Sequence, residues 1–294
     1  PIKELALPGA TRELVDLFAC DAIFIASPND THFGYLQYLS ENYSGYIFCE
    51  KPPLSSLQEL DEYSGNSKRV FFNFNYRFSR IRDAVTESIE NGELGQPIHM
   101  FVSMSQGLAY KDSYPGSWRA DATRHRHGVT ETKSIHFIDM AIFLFGDLSD
   151  YNYTPSNIAK TGSAYDTSFI NLHFRSGPIV TLLMSYATPL TSEMRVVGTN
   201  GVIEYKDDVL KIYSPRDTFD ERGFFASPPE KIIFGYANTA KDLYEESLER
   251  SVDYFMQICA DGMDFPANLH QASLDTNRLV LELTENISNK EDKS

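Results

Sequence analysis

The feature that most constrains this chain is a change of hydrophobic period that repeats through roughly its first seventy residues. Apolar residues recur at helical spacing over residues 11–18, then give way to a short unbroken run, Ala22-Ile23-Phe24-Ile25-Ala26. Helical spacing returns over residues 31–40, and a second run follows at Tyr46-Ile47-Phe48-Cys49. Another helix opens at Ser55 or Ser56 as N-cap, with Glu59 close behind, and residues 69–74 make a third run. Strands alternating with helices at this spacing read as βαβ units, because parallel neighbours need a crossover long enough to hold a helix. The pattern predicts half of a doubly wound parallel sheet.

From residue 79 the pattern changes. A helix over 79–91 stops at Gly92, a strand follows at 98–104, then a long loop around Pro115 and Trp118, then a helix over 130–145. Strands come next, of which 168–174 and 179–186, separated by Arg175-Ser176-Gly177-Pro178, form the clearest hairpin. Strands at 195–197, 202–205 and 209–213 continue the sheet, and helices near 240–260 and 270–287 close the chain. Successive strands with tight turns read as antiparallel. The fold class predicted is therefore α/β followed by α+β, with an incomplete doubly wound parallel sheet in residues 1–76 and a large, mostly antiparallel sheet in residues 77–294.

The formal charge of −15 repels a phosphate backbone and an anionic bilayer, so neither nucleic acid nor membrane is expected as a partner. No apolar run approaches the roughly 18 residues of a membrane span, and Pro1-Ile2-Lys3-Glu4 does not open a signal peptide. Cytoplasmic residence is the expectation. Cys20, Cys49 and Cys259 are odd in number and far apart, which suits core thiols in a reducing compartment. The absence of an initial Met suggests a shortened form of a longer chain.

In a parallel α/β domain, ligands bind beyond the carboxyl ends of the strands. After the first strand comes Ser27-Pro28-Asn29-Asp30-Thr31-His32, a polar turn entering a helix N-terminus, where backbone N–H groups favour an anion or sugar hydroxyls. After the second comes Glu50-Lys51-Pro52-Pro53, where proline stiffens a turn that carries a lysine able to donate a proton. Taken singly, the first reads as an ordinary capping turn and the second as a solvated lysine. Their order, followed by Asn73-Phe74-Asn75-Tyr76-Arg77-Phe78, resembles the glucose-fructose oxidoreductase, inositol dehydrogenase and MocA (Gfo/Idh/MocA) family. The resemblance extends to Asn91-Gly92-Glu93-Leu94-Gly95-Gln96-Pro97, to Ile135-His136-Phe137-Ile138-Asp139 and to Gly198-Thr199-Asn200-Gly201-Val202-Ile203-Glu204.

What the resemblance implies is an NAD(P)-dependent oxidoreductase. It would move a hydride between nicotinamide and a carbon of a sugar, nucleotide sugar or cyclitol. Residues 1–76 would be the C-terminal part of a Rossmann-type domain and residues 77–294 a substrate-binding and oligomerisation domain, with a homodimer or homotetramer expected. Lys51 and His136 match the family's acid/base residues, and Ser27, Pro28, Asn29, His32, Glu50, Lys51 and Pro52 match positions lining NAD or NADP. Substrate contacts are expected from Asn75, Arg77, Trp118, Arg119, Arg126, Thr132, His136 and Asp139. The residues themselves agree in part: at helical spacing Thr132, His136 and Asp139 share one face of an otherwise apolar helix.

The chain departs from the family at several points. Thr132 stands where many members carry Asp, and threonine cannot serve as a carboxylate base. Either His136 and Lys51 suffice, or Glu131 or another group substitutes, or the chemistry has changed. The loop before the helix reads Arg124-His125-Arg126-His127-Gly128 instead of a glycine pair. With Arg119 it either binds an anionic substrate group or is a solvated, ion-paired loop. None of the 17 glycines lies two residues from another, so no G-x-G-x-x-G occurs and the phosphate-binding loop is missing from this chain. Two other functions compete with the dehydrogenase, a catalytically silent cofactor or sugar sensor and a glycosidase that retains its NAD. His125 and His127 have no ligand spacing that suggests a metal.

Overall fold

A computed structural model describes residues 20–125, 127–235 and 242–291. The helical pattern at 11–18 lies outside them. The three apolar runs form strands β1 (Ala22–Ile25), β2 (Tyr46–Glu50) and β3 (Val70–Asn73), paired in parallel in that order. β2 and β3 are buried over almost their whole length, as strands covered on both faces must be, which is why they read as unbroken apolar runs. Helices α1 (His32–Asn42) and α2 (Leu57–Glu62) occupy the crossovers. Ser56 caps α2: its Oγ accepts from the Glu59 N–H at 3.1 Å, while Glu59 Oε2 accepts from the Ser55 N–H at 2.7 Å.

The chain divides into two units. Among the described residues, one holds 20–74 with 252–286 and the other holds 75–251 with 287–291. The second unit contains helices α3 (Arg80–Glu90), the single turn α4 (Ala122–His125) and α5 (Ile135–Phe145). Its sheet has eight strands: β4 (Pro97–Ser105), β5 (Leu148–Ser156), β6 (Thr167–Phe174), β7 (Ile179–Ser185), β8 (Thr191–Gly198), β9 (Val202–Lys206), β10 (Val209–Tyr213) and β11 (Glu230–Gly235). Their order is β11-β10-β9-β8-β4-β7-β6-β5, antiparallel throughout except for the parallel pair β4–β7. The expected hairpin is β6–β7. Alternate residues such as Met100, Val102, Ile170, Leu172, Val180, Leu182, Val196 and Ile203 are buried on one face. The opposite face shows Phe169 and Ile179 partly exposed beside a polar row in which the Thr181 hydroxyl donates to Asn171 Oδ1 at 2.8 Å.

β5 and β11 are not evident in the sequence. They form the two outer edges of the sheet, where polar residues and a proline are tolerated because one row of backbone groups faces away from any neighbour. Two stretches quoted above for the family pattern meet here across about a hundred residues of chain. Leu94 O accepts from the N–H groups of Asn200 and Gly201, and the Thr199 N–H donates to Gln96 O at 2.9 Å. Gly95 adopts φ 72°, and a Cβ on Gly198 would lie 2.2 Å from Leu94 O, so both glycines are required by this joint.

The closing helices are α6 (Leu243–Ala260) and α7 (Ala267–Glu291). Residues 252–286, expected in the second domain, belong instead to the first unit. The cause is an aromatic core that the three strands cannot complete alone. The Phe255 ring lies 5.2 Å from Phe24, 5.3 Å from Phe48 and 5.7 Å from Phe265, and the Phe265 N–H donates to Lys68 O. None of the three cysteines is in a disulfide, and with Cys49 buried and Cys20 and Cys259 only half-buried, one of the three is a core thiol. No helix among the described residues is long and apolar enough to cross a membrane.

Candidate active site

In the first unit the polar residues gather at the carboxyl ends of β1, β2 and β3. Lys51 is half-buried directly after β2, at a cis Lys51–Pro52 bond. Side chains hold the residues on each side of it. Asn73, at the end of β3, donates from Nδ2 to Glu50 Oε1 at 2.8 Å. His32 is buried, with Nδ1 2.9 Å from Pro52 O and Nε2 3.0 Å from Ser27 O, so one ring ties the turn after β1 to the turn after β2. Asn277, on α7 and fully buried, accepts from the Leu54 N–H at 2.8 Å and donates to Leu54 O at 3.1 Å. A buried amide that satisfies one N–H and one C=O fixes the backbone more firmly than either bond alone.

The remaining residues expected to line a cofactor lie in the turn after β1. Pro28 is exposed, while Ser27 and Asn29 are half-buried. Ser27 and Thr31 share a hydroxyl–hydroxyl hydrogen bond of 2.6 Å, and the Thr31 hydroxyl donates to Pro28 O. His32 does not line an open surface: its two ring nitrogens are taken up by the tie just described, and it positions the turns rather than contacting a ligand.

In the second unit His136 is buried on α5 with its ring edge-on to Tyr76, centroids 5.3 Å apart. Burial pushes the Tyr76 hydroxyl well above the ordinary tyrosine range, with Asp242 and Tyr244 adding to it, so that hydroxyl stays protonated. Ahead of α5, Thr130–Ser134 is a π-helical turn in which the Ile135 N–H donates to Thr130 O, five residues back. This corrects the spacing expected for Thr132, His136 and Asp139, since the extra residue per turn takes Thr132 off the line through His136. The Thr132 hydroxyl donates to Gly128 O at 2.7 Å and lies 2.6 Å from the Tyr186 hydroxyl, which by proton counting donates to it. Along the backbone, the residue one π turn before His136 is Glu131.

Three expected substrate contacts are internal supports. Arg77 and Asp139 form a buried, two-pronged ion pair, Nε to Oδ2 at 2.7 Å with Nη2 on Oδ1. The Asn75 amide donates to Ser247 Oγ at 2.7 Å, and both residues are buried. Polar groups sealed this far inside require such partners. The basic run is also not one patch. His127 is buried with Nδ1 2.9 Å from the Tyr153 hydroxyl, whereas Arg124 is exposed and lines a shallow hollow of about 270 Å³ with Trp118 and Asp121. Arg126 lies outside the described residues. Arg119 is half-buried, its guanidinium 4.1 Å from the Trp118 ring centroid, and its carbonyl accepts from the Tyr114 hydroxyl at 3.4 Å. Among the described residues no three His, Cys, Asp or Glu side chains converge as metal ligands.

Asn277, Tyr186 and Lys133 are the site residues that sequence reasoning does not reach. Nothing around Asn277 marks it, because its partner stands 223 residues away. Tyr76 and Asn73 lie inside a quoted motif and could have been picked out there.

Two family models match, an oxidoreductase family with NAD-binding Rossmann fold over residues 5–69 and the GFO/IDH/MocA C-terminal domain over residues 83–204, together more than half of the chain. The chain belongs to the Gfo/Idh/MocA family. It is 26% identical over 254 residues to myo-inositol 2-dehydrogenase of Thermotoga maritima, covering 81% of this chain and 70% of that protein. It is 32% identical over 139 residues to glucose-6-phosphate 3-dehydrogenase of Bacillus subtilis, covering 45% of this chain and 38% of the relative. An oxidoreductase from Agrobacterium radiobacter, solved with NAD+, L-tartaric acid and magnesium, shares the fold with TM-score 0.69 at 19% identity, covering 92% of this chain and 78% of that one.

Proposed function

We propose that this chain is part of an NAD(P)-dependent oxidoreductase that moves a hydride between nicotinamide and a carbon of a sugar, nucleotide sugar or cyclitol. The observation that carries the reading is the Lys51 turn, whose flanking residues are fixed from three sides by Asn73, His32 and Asn277. A lysine held this way at a strand's carboxyl end is where a parallel sheet presents its ligand groups.

The residues present fit one part of such a cofactor. The start of α1 and the Lys51 ammonium are donors suited to a ribose and its reacting neighbour, and the Ser27 and Thr31 hydroxyl oxygens are acceptors for its hydroxyls. No residue of this chain is assigned to the pyrophosphate, since G-x-G-x-x-G does not occur. When bound, nicotinamide supplies or accepts the hydride. Lys51 and His136 handle the proton of the substrate hydroxyl, Lys51 through its ammonium and His136 through its imidazole. The Arg77–Asp139 pair holds the helix that carries His136. NAD or NADP both suit this role.

The activity of the myo-inositol and glucose-6-phosphate dehydrogenases supports a carbohydrate substrate. The three cysteines, none in a disulfide, suit a reducing, cytoplasmic setting, and the partly exposed sheet face with Phe169 and Ile179 suits a homodimer or homotetramer. The test is nicotinamide reduction across a panel of sugars, sugar acids, sugar phosphates and cyclitols. One or more of them should reduce NAD+ or NADP+, and Lys51→Ala and His136→Ala should each abolish most of that rate. Cofactor binding without turnover on any member would favour a sensor instead.

A further inference from the structure

Tyr186, buried just past the end of β7, stands in a cluster that holds two cations, Lys133 and Arg119. Lys133 extends from the π-helical turn to place Nζ 5.9 Å from the centroid of the Tyr186 ring. Arg119, its guanidinium held over Trp118, is joined to the same cluster by Tyr114, whose hydroxyl donates to Arg119 O at 3.4 Å and whose ring lies 6.2 Å from that of Tyr186. Among the described residues neither cation forms an ion pair with a carboxylate, Glu131 included. The neighbouring acid, Asp166, is already taken: its oxygens accept from the N–H groups of Ile158 and Ala159 and from the Thr167 hydroxyl. The Tyr186 proton is committed to Thr132, so the tyrosine orients the cluster and leaves the two cations to meet a ligand.

Two like charges in one cluster, in a chain of net charge −15, repel each other, and among the described residues no carboxylate pairs with either. Burial holds the Lys133 ammonium below the ordinary lysine value, as expected where no counter-charge offsets desolvation. We propose that Lys133 and Arg119 form an anion subsite that binds a carboxylate or phosphate group of the substrate. An ammonium supplies a compact charge and a guanidinium a planar fork, and both suit either oxyanion. The subsite lies ahead of the helix that carries His136 and rests on the reading that this unit binds substrate.

The test is calorimetric titration of the chain with glucuronate, glucose 6-phosphate and glucose, repeated on Lys133→Met, Lys133→Arg and Arg119→Lys. At least one anionic sugar should bind about tenfold or more tightly than glucose, a preference that Lys133→Met lowers about tenfold and Lys133→Arg keeps. Preference for glucuronate alone assigns the anion as a carboxylate, and preference for glucose 6-phosphate alone assigns a phosphate. Equal affinity for the three sugars, binding of none, or an unchanged preference in Lys133→Met overturns the subsite. Should Lys133→Met fail to fold, Arg119→Lys decides: loss of the preference there supports the subsite, and its survival overturns it. Binding is read independently of turnover, so a chain that prefers an anionic sugar without reducing nicotinamide overturns the oxidoreductase reading alone.

Discussion

The two units stabilise their polar centres by opposite means. Around Lys51, side chains bond mostly to backbone: His32 to two carbonyls, and Asn277 to the N–H and carbonyl of one residue, with Asn73 to the Glu50 carboxylate the exception. Around His136, side chains bond mostly to one another: Arg77 to Asp139, Thr132 to Tyr186, Asn75 to Ser247. The first arrangement fixes the path of a turn that carries Lys51 at its tip. The second fixes the helix and the loops packed on it, at the cost of desolvating charges that stay secure only while both partners remain. Loss of one member should therefore affect activity in the first unit and stability in the second.

The sharpest way to break that contrast is at Lys51. Lys51→Ala should lower turnover about 10²- to 10⁴-fold, the usual contribution of a positioned acid/base group, with an unchanged melting temperature. Steady-state rates and thermal melts on the same preparation check both halves. Asp139→Ala should do the reverse, costing about 3–5 kcal/mol of stability by taking the paired carboxylate from the buried Arg77 charge, as read from denaturant unfolding. Asn277→Ala sits between them. It strands the Leu54 backbone groups and should cost about 1–3 kcal/mol while lowering kcat more than it raises KM, because the lysine turn loosens.

The smallest effect concerns His270, whose Nδ1 lies 3.2 Å from Val70 O. Burial holds its pKa below the usual 6.5, against a smaller opposite pull from that carbonyl. As the pH falls, the unfolded chain takes up the proton first. The stability His270 contributes is therefore complete above 6.5 and is lost as the pH drops toward the lower folded value. Melts at successively lower pH should show His270→Gln losing less than the parent, by about 2 °C.

The parallel strands were legible because a strand buried on both faces carries an unbroken apolar run, and the order of the Ser27, Lys51 and Asn73 turns pointed to their shared end of the sheet. β5 and β11 were not, because edge strands with Pro155 or Glu230 and Lys231 lack that signal. The π-helical turn was equally silent, since one extra residue in a helix leaves no mark in composition, and this misplaced Thr132 relative to His136. Arg77 and Asp139 were recognised as important residue types, but the sequence could not show that each was the other's partner. Asn277 and the aromatic cover from Phe255 and Phe265 depend on the end of the chain returning to its beginning, which no local pattern encodes.

The central claim is that the turn after β2 serves nicotinamide chemistry. It is tested most directly by following nicotinamide reduction by the chain and by Lys51→Ala with the best sugar or cyclitol of the panel. The account predicts measurable reduction by the parent chain, lost at least a hundredfold in a variant that melts like the parent. Equal rates in the two proteins, or no binding of either nicotinamide cofactor by the parent, would contradict it.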